Sequence, residues 1–225
     1  MENYKTRSGE ISIQVFGHAS LCIGWKGKNI YVDPYSEVRS YEGLPKADVF
    51  LITHNHCDHY DMDSVDELEK KDSILIVSRS VGQPDDRYRV MKNGDVCNIF
   101  EGEESMINVL AVPAYNVGKH KPDGTPFHSK GDGNGYILTF GDFKIYIAGD
   151  TEEIPDMKYF PYSDLAFLPK DPVYTMSDEE FIACANFLRP KYLYPYHYGR
   201  IDIPMLKRYL DTGITLVTPP VKTTL

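Results

Sequence analysis

Short apolar runs, punctuated by glycine and closed by a helical segment, occur in two successive series along the chain, and this repetition limits the fold more than any other feature. Ile11–Phe16, Leu21–Trp25 and Asn29–Val32 are rich in Ile, Val and aromatic residues and are split by breaks such as Lys26-Gly27-Lys28-Asn29; they read as two antiparallel hairpins. Asp48–Thr53 and Ser73–Val77 are continuously apolar in their centres, the mark of strands covered on both faces. Between them Asp63–Lys71 reads as a helix, with acids early and Lys70 and Lys71 at its end, as the helix dipole favours. The second series runs through Ile107–Val112, Tyr136–Phe140 and Lys144–Ala148, with a hairpin turn at Gly141-Asp142, and then the buried strand Asp164–Leu168. Ser177 and Glu180 are spaced as a capping box for a helix to about Leu188. Lys191–Tyr196, a helix near Ile203–Leu210 and Ile214–Val217 complete the pattern. Two sheets packed together with helices outside are the expected result.

The 225 residues suit one domain, 1–225, with 42% hydrophobic and 25% charged residues. A net charge of −9 repels phosphate backbones and disfavours nucleic acid as a partner. The longest unbroken apolar run, Phe181–Ala185, is far below the ~20 residues of a membrane span. Met1–Arg7 has no apolar stretch behind it, so no secretory leader is read and a cytoplasmic location is expected. Cys22, Cys57, Cys97 and Cys184 form no paired spacing; Cys22, Cys184 and Cys57 are read as packing residues. The segment Asn116–Gly135 is a long Gly-, Lys- and Asp-rich loop of the kind that is often functional.

The chemistry concentrates in His54-Asn55-His56-Cys57-Asp58-His59, which follows directly on a buried strand. Neutral imidazole nitrogens and carboxylate oxygens are ligands for first-row divalent ions such as zinc, manganese, iron or nickel. Alternation along the segment splits the four groups into two sets facing adjacent positions, so a two-metal site is within reach. Asp150 ends an apolar strand in a glycine-flanked turn, where a bare carboxylate needs a partner; a helix N-cap is the plainer alternative.

Thr53-His54-Asn55-His56-Cys57-Asp58-His59-Tyr60-Asp61 resembles the signature of the metallo-β-lactamase-fold superfamily. Gly17-His18-Ala19-Ser20 resembles a first-hairpin motif of its ascorbate-phosphate-lactonase-like and phospholipase-D-like branches. Asp33-Pro34, Ala148-Gly149-Asp150-Thr151 and Tyr194-Pro195-Tyr196-His197-Tyr198-Gly199 match further segments in the same order. The resemblance implies an α+β fold, a four-layer αββα sandwich of two mixed β-sheets flanked by helices. It implies His54 and His56 on a first metal, Asp58 and His59 on a second, Asp150 bridging both, and His197 completing the second. Asp33 is implied to accept a hydrogen bond from a ligand histidine and fix its tautomer. His18 is read as a group behind the ligands or facing the substrate, or as a plain turn histidine. The Tyr192–Tyr198 segment is read as a packed strand.

One position departs from the pattern. Where the superfamily carries a further histidine after an apolar strand, this chain has Tyr115 in Val112-Pro113-Ala114-Tyr115-Asn116, a segment that resembles a group of small metal-dependent hydrolases. A neutral tyrosine, with a pKa of about 10, is a poor ligand. Three outcomes stay open: Tyr115 contacts the metal or its water; a loop histidine substitutes, with His128 favoured over His120; or the first site is weak and one ion is held tightly.

The expected activity is hydrolysis by a metal-bound hydroxide on a small phosphorylated or carboxylated metabolite or a lactone. Two zinc ions are expected, with manganese or iron as alternatives. Asp58 is assigned to orient the nucleophile, and Tyr115 or His128 to steady the oxyanion or protonate the leaving group. A phosphodiesterase acting on nucleotide or phospholipid-like esters is one rival; a non-hydrolytic metal-binding or redox di-iron protein is another. The partner expected is a small-molecule substrate, with no nucleic acid and no membrane span, and self-association into a homo-oligomer is left open.

Overall fold

The computed structural model describes residues 1–100 and 106–218. One sheet carries β1 (Glu2–Thr6), β2 (Gly9–Gly17), β3 (Ser20–Trp25), β4 (Lys28–Val32), β5 (Val49–Ile52), β6 (Ile74–Ser78) and β7 (Tyr88–Met91) side by side in chain order. The other carries β8 (Val96–Ile99), β9 (Ile107–Ala114), β10 (Gly133–Phe140), β11 (Phe143–Ile147), β12 (Leu165–Pro169), β13 (Tyr192–Tyr196) and β14 (Thr215–Leu216), again in chain order. In each sheet the first four strands pair antiparallel and the rest parallel. Parallel neighbours need a crossover. Three of them hold helices: α1 (Met62–Leu68) after β5, α2 (Asp178–Leu188) after β12 and α3 (Ile203–Tyr209) after β13.

Strand alternation builds the layers. On β5, Val49 and Leu51 enter the core between the sheets, while Phe50 and Ile52 pack outward with Val65 and Leu68 of α1. On β12, Leu165 and Phe167 face the same inter-sheet core, and Ala166 and Leu168 pack with Phe181, Cys184 and Ala185 of α2. The fold is therefore the αββα sandwich. Ser177 caps α2 with its side chain accepting from the Glu180 N–H, and the Glu180 carboxylate accepts in return from the Ser177 N–H.

Three strands have no counterpart in the apolar pattern: β1, β7 and β8. All three are sheet edges, with one neighbour each and little apolar cover, so their sequences carry polar residues that conceal the strand. Helix α1 stops at Leu68, short of the expected Lys71, because Lys70 turns to Asp48, its Nζ 2.6 Å from Oδ1. Cys57 is exposed and does not pack; Cys22 and Cys184 are buried. No helix among the described residues is long and apolar enough to cross a membrane.

The two sheets are joined at one end. The Asn134 N–H donates to the Thr53 carbonyl at 2.9 Å, and the Tyr136 hydroxyl donates to the Ile52 carbonyl at 2.9 Å. β10 thus starts at Gly133, three residues before its apolar stretch, held by the end of β5. Gly135 is required here: a Cβ would lie 2.8 Å from the Ala148 carbonyl oxygen and 2.9 Å from that of Ile147. Gly135→Ala is expected to displace backbone and to cost about 1–3 kcal/mol, read as a lowered denaturation midpoint with an unchanged denaturant slope.

Candidate metal centre

The joined end is also where the chain's ligand-type side chains meet, at the C-terminal ends of β4, β5, β11 and β13, a region where sheets with parallel strands commonly place their sites. His54, His56, Asp58 and His59 follow β5; Asp33 follows β4; Asp150 follows β11; His197 follows β13; His18 sits in the β2–β3 turn. Gly149 makes the turn into Asp150 at φ +68°, where a Cβ would lie 2.8 Å from the Asn134 carbonyl oxygen.

Asp150 is the centre of the arrangement. It is buried, with its Oδ2 3.2 Å from His128 Nε2, 3.1 Å from His197 Nε2 and 4.0 Å from His54 Nε2, and its Oδ1 3.4 Å from His59 Nε2. His54, His56 and His128 offer three nitrogens on one side. On the other side stand His59, His197 and Asp58, whose Oδ2 is 3.8 Å from His59 Nε2 and 3.9 Å from His197 Nε2. His18 joins this second group, its Nε2 2.9 Å from Asp58 Oδ2. His54 Nε2, His59 Nε2, His197 Nε2 and Asp150 Oδ1 are all buried and make no hydrogen bond. Clustered, unsatisfied lone-pair donors of this kind cost free energy unless a cation takes them up. The donor set fits one or two divalent ions.

The groups behind these donors set their tautomers. Asp33, fully buried, accepts from the Thr53 N–H at 2.8 Å, the Thr53 hydroxyl at 2.6 Å and His59 Nδ1–H at 2.7 Å. Because that hydroxyl donates to Asp33, its oxygen accepts from His54 Nδ1–H at 3.0 Å. Both imidazoles are thus held by Nδ1 and turn Nε2 inward. Asn116 does the same for His128: its Oδ1 accepts from Nδ1–H at 2.7 Å and from the backbone N–H of His128 at 2.8 Å, while its amide donates to the Tyr174 carbonyl.

Electrostatics follow from burial and the two carboxylates. Burial holds His54 well below the ordinary histidine range and lowers His56, keeping both in the neutral, lone-pair form. Burial would also lower His59 and His197, but Asp150 outweighs it and raises both, His59 with help from Asp33. Burial would raise the two carboxyls; His197 and His59 hold Asp150 well below its usual range, and the His18 hydrogen bond with His59 does so for Asp58.

Tyr115 is not part of this cluster. Its ring packs in the outer layer with Ala148 and Met157, and its hydroxyl donates to Asp156 Oδ2 at 2.6 Å and accepts from Lys130 Nζ at 3.2 Å. Of the three outcomes left open, contact of Tyr115 with a metal or its water is the one the structure contradicts: the residue after β9 points to the far face of the sheet. His120 is exposed and bonds to the Gly118 carbonyl. Thr53 and Asn116 were not singled out from the sequence for these roles, although both abut the motifs; a hydroxyl or amide beside a ligand histidine is the available signal.

Comparison with known proteins gives the family and the fold. The model of a family described as the beta-lactamase superfamily domain matches residues 12–197. A UPF0173 metal-dependent hydrolase of Flavobacterium johnsoniae is 30% identical, over 92% of this chain and 96% of that protein. A crystal structure from Parabacteroides distasonis, assigned to the metal-dependent hydrolases, superposes with a TM-score of 0.87 at 39% identity over 98% of each chain. Igni18, a metallo hydrolase of Ignicoccus hospitalis, shares the fold with a TM-score of 0.75 at 21% identity, over 94% and 96% of the chains. The chain belongs to the beta-lactamase superfamily. Within it, the chain falls among the UPF0173 metal-dependent hydrolases.

Asp33→Asn would leave one acceptor oxygen for three donors and set an NH₂ against the rest. It is expected to lower metal affinity about 10–100-fold, measured by chelator competition, with the fold retained by circular dichroism.

Proposed function

We propose that the chain hydrolyses a small phosphorylated or carboxylated molecule, or a lactone, with two divalent ions, zinc foremost. His54, His56 and His128 would hold one ion, Asp58, His59 and His197 the other, and Asp150 both. The observation that carries this reading is the set of buried, unpartnered donors around Asp150, three of whose neighbours also line a cleft of about 320 Å³. A bound divalent ion brings a water's pKa from about 15.7 to about 7, and polarises the oxygen under attack.

The chain's own residues supply the rest. The cleft volume is at the lower end of small-molecule sites. Asn55, Ser80, Thr125 and Ser129 line it with hydrogen-bonding groups, Phe127 gives it an apolar wall, and Lys121 is its cation. This lining favours a compact polar substrate with an anionic group, which Lys121 would pair while the hydroxyls orient it. Asp58, with Oδ2 at His18, has its second oxygen to accept a proton from the attacking water. Asp33 and Thr53 keep His54 and His59 from turning, and Asn116 keeps His128.

The test is metal analysis joined to a panel of phosphodiesters, phosphomonoesters, carboxylic esters and lactones. His54→Ala and Asp150→Ala are each expected to lose bound metal and at least about a thousand-fold in kcat/KM, roughly 4 kcal/mol. Full turnover in either variant overturns the assignment. Lys121→Ala is expected to raise KM about ten-fold for anionic substrates and to leave neutral lactones unchanged; an equal effect on both refutes its pairing role. A protein carrying iron and inert on the whole panel would favour the redox alternative.

A further inference from the structure

His18 and His197 lie 179 positions apart, yet both sit in the left-handed backbone region, at φ +48° and +50°. Residues with a side chain rarely adopt it, and where they do the surroundings must hold them. Here the His197 N–H donates to the His18 carbonyl at 2.8 Å, and the two rings stand 3.9 Å apart. The paired strain aims both imidazoles at one point. His18 Nε2 is 2.9 Å from Asp58 Oδ2, and its ligand atom lies within 4.8 Å of those of Asp58, His59 and His197. A spacing of 2.9 Å suits a hydrogen bond, and it is a few tenths of an ångström short of the about 3.3 Å between two ligands each about 2.0 Å from one tetrahedral zinc. None of these four residues lines the cleft, whereas His54, His56, His128 and Asp150 all do.

We infer that His18 is a further protein ligand of the second centre, beside Asp58, His59 and His197. This rests on the two-ion reading above.

The experiment follows zinc binding and release by the full chain, with stoichiometry from mass spectrometry and extraction by a chromogenic chelator. The wild type is expected to hold two ions, one extracted at least about ten times faster than the other. His18→Gly keeps the left-handed turn and removes the imidazole; His18→Gln keeps an N–H for Asp58 but offers a poor ligand. Both are expected to weaken the slowly extracted ion at least about ten-fold and to leave the fast one within two-fold, which also shows that the fold is intact. Two-ion binding unaltered in His18→Gly, or restored to wild type in His18→Gln, overturns the inference and leaves His18 as a hydrogen-bond partner of Asp58. A wild type holding one ion, lost in His54→Ala and kept in His197→Ala, overturns the two-ion reading itself and His18's part with it.

Discussion

A carboxylate with no exposure to solvent must find partners for its charge, and Asp33 finds all of them at the end of the next strand. It takes the N–H and hydroxyl of Thr53 and the Nδ1–H of His59, while its own backbone N–H donates to Leu51 across the β4–β5 pair. An unpaired carboxylate there would cost several kcal/mol, so β4, β5 and the histidine segment are locked in one register. The lock has a local cost, because Asp33 adopts φ +40° to reach Thr53. Strain of this kind persists where the surrounding structure over-determines it, and His18, Asp33 and His197 all carry it at strand ends that build the centre.

The second sheet contributes through Asp150, and the way the sheets are joined decides where Asp150 can stand. The backbone bonds from Asn134 to Thr53 and from Tyr136 to Ile52 bring β10 against β5. With no Cβ at Gly135 and Gly149, the chain can pass within contact distance of neighbouring carbonyls. The outcome is that a carboxylate from one sheet and imidazoles from both lie 3.1–4.0 Å apart. Separate sheets therefore supply separate parts of one donor set, and neither half of the chain could assemble it alone.

The sequence reveals those parts of the molecule whose residues face a single kind of environment. β5 and β12 are legible because both of their faces are covered, and α2 because Ser177 and Glu180 make the capping box that their spacing suggests. β1, β7 and β8 are not, since an edge strand's pattern is set by what little covers it. At the centre, the clustered residues His54 to His59 are legible by proximity alone. The direction of Tyr115 is not: whether a residue at the end of a strand points to the core side or the outer side depends on one step of register. Here that step gives its hydroxyl to Asp156 and Lys130. His128 is legible only in part: its nearness to the Gly133–Gly135 strand entry favours it over His120, but nothing local shows what brings the loop back to the site.

What returns it is a third buried carboxylate. Glu152, two residues beyond Asp150, accepts through Oε2 from the consecutive N–H groups of Val117, Gly118 and Lys119. Lys119 Nζ spans from Glu152 Oε1 at 3.0 Å to Glu180 Oε2 at 2.6 Å, and Glu180 completes the capping box of α2. The start of the loop is thereby tied both to the strand end that carries Asp150 and to the outer helix layer. Asn116, just ahead of this knot, bonds His128 through side chain and backbone alike. A loop held at that point behaves, for the imidazole it carries, like the end of a strand. That is the physical reason a histidine twelve residues into an irregular segment can sit beside His54 and His56 as firmly as one fixed by the sheet.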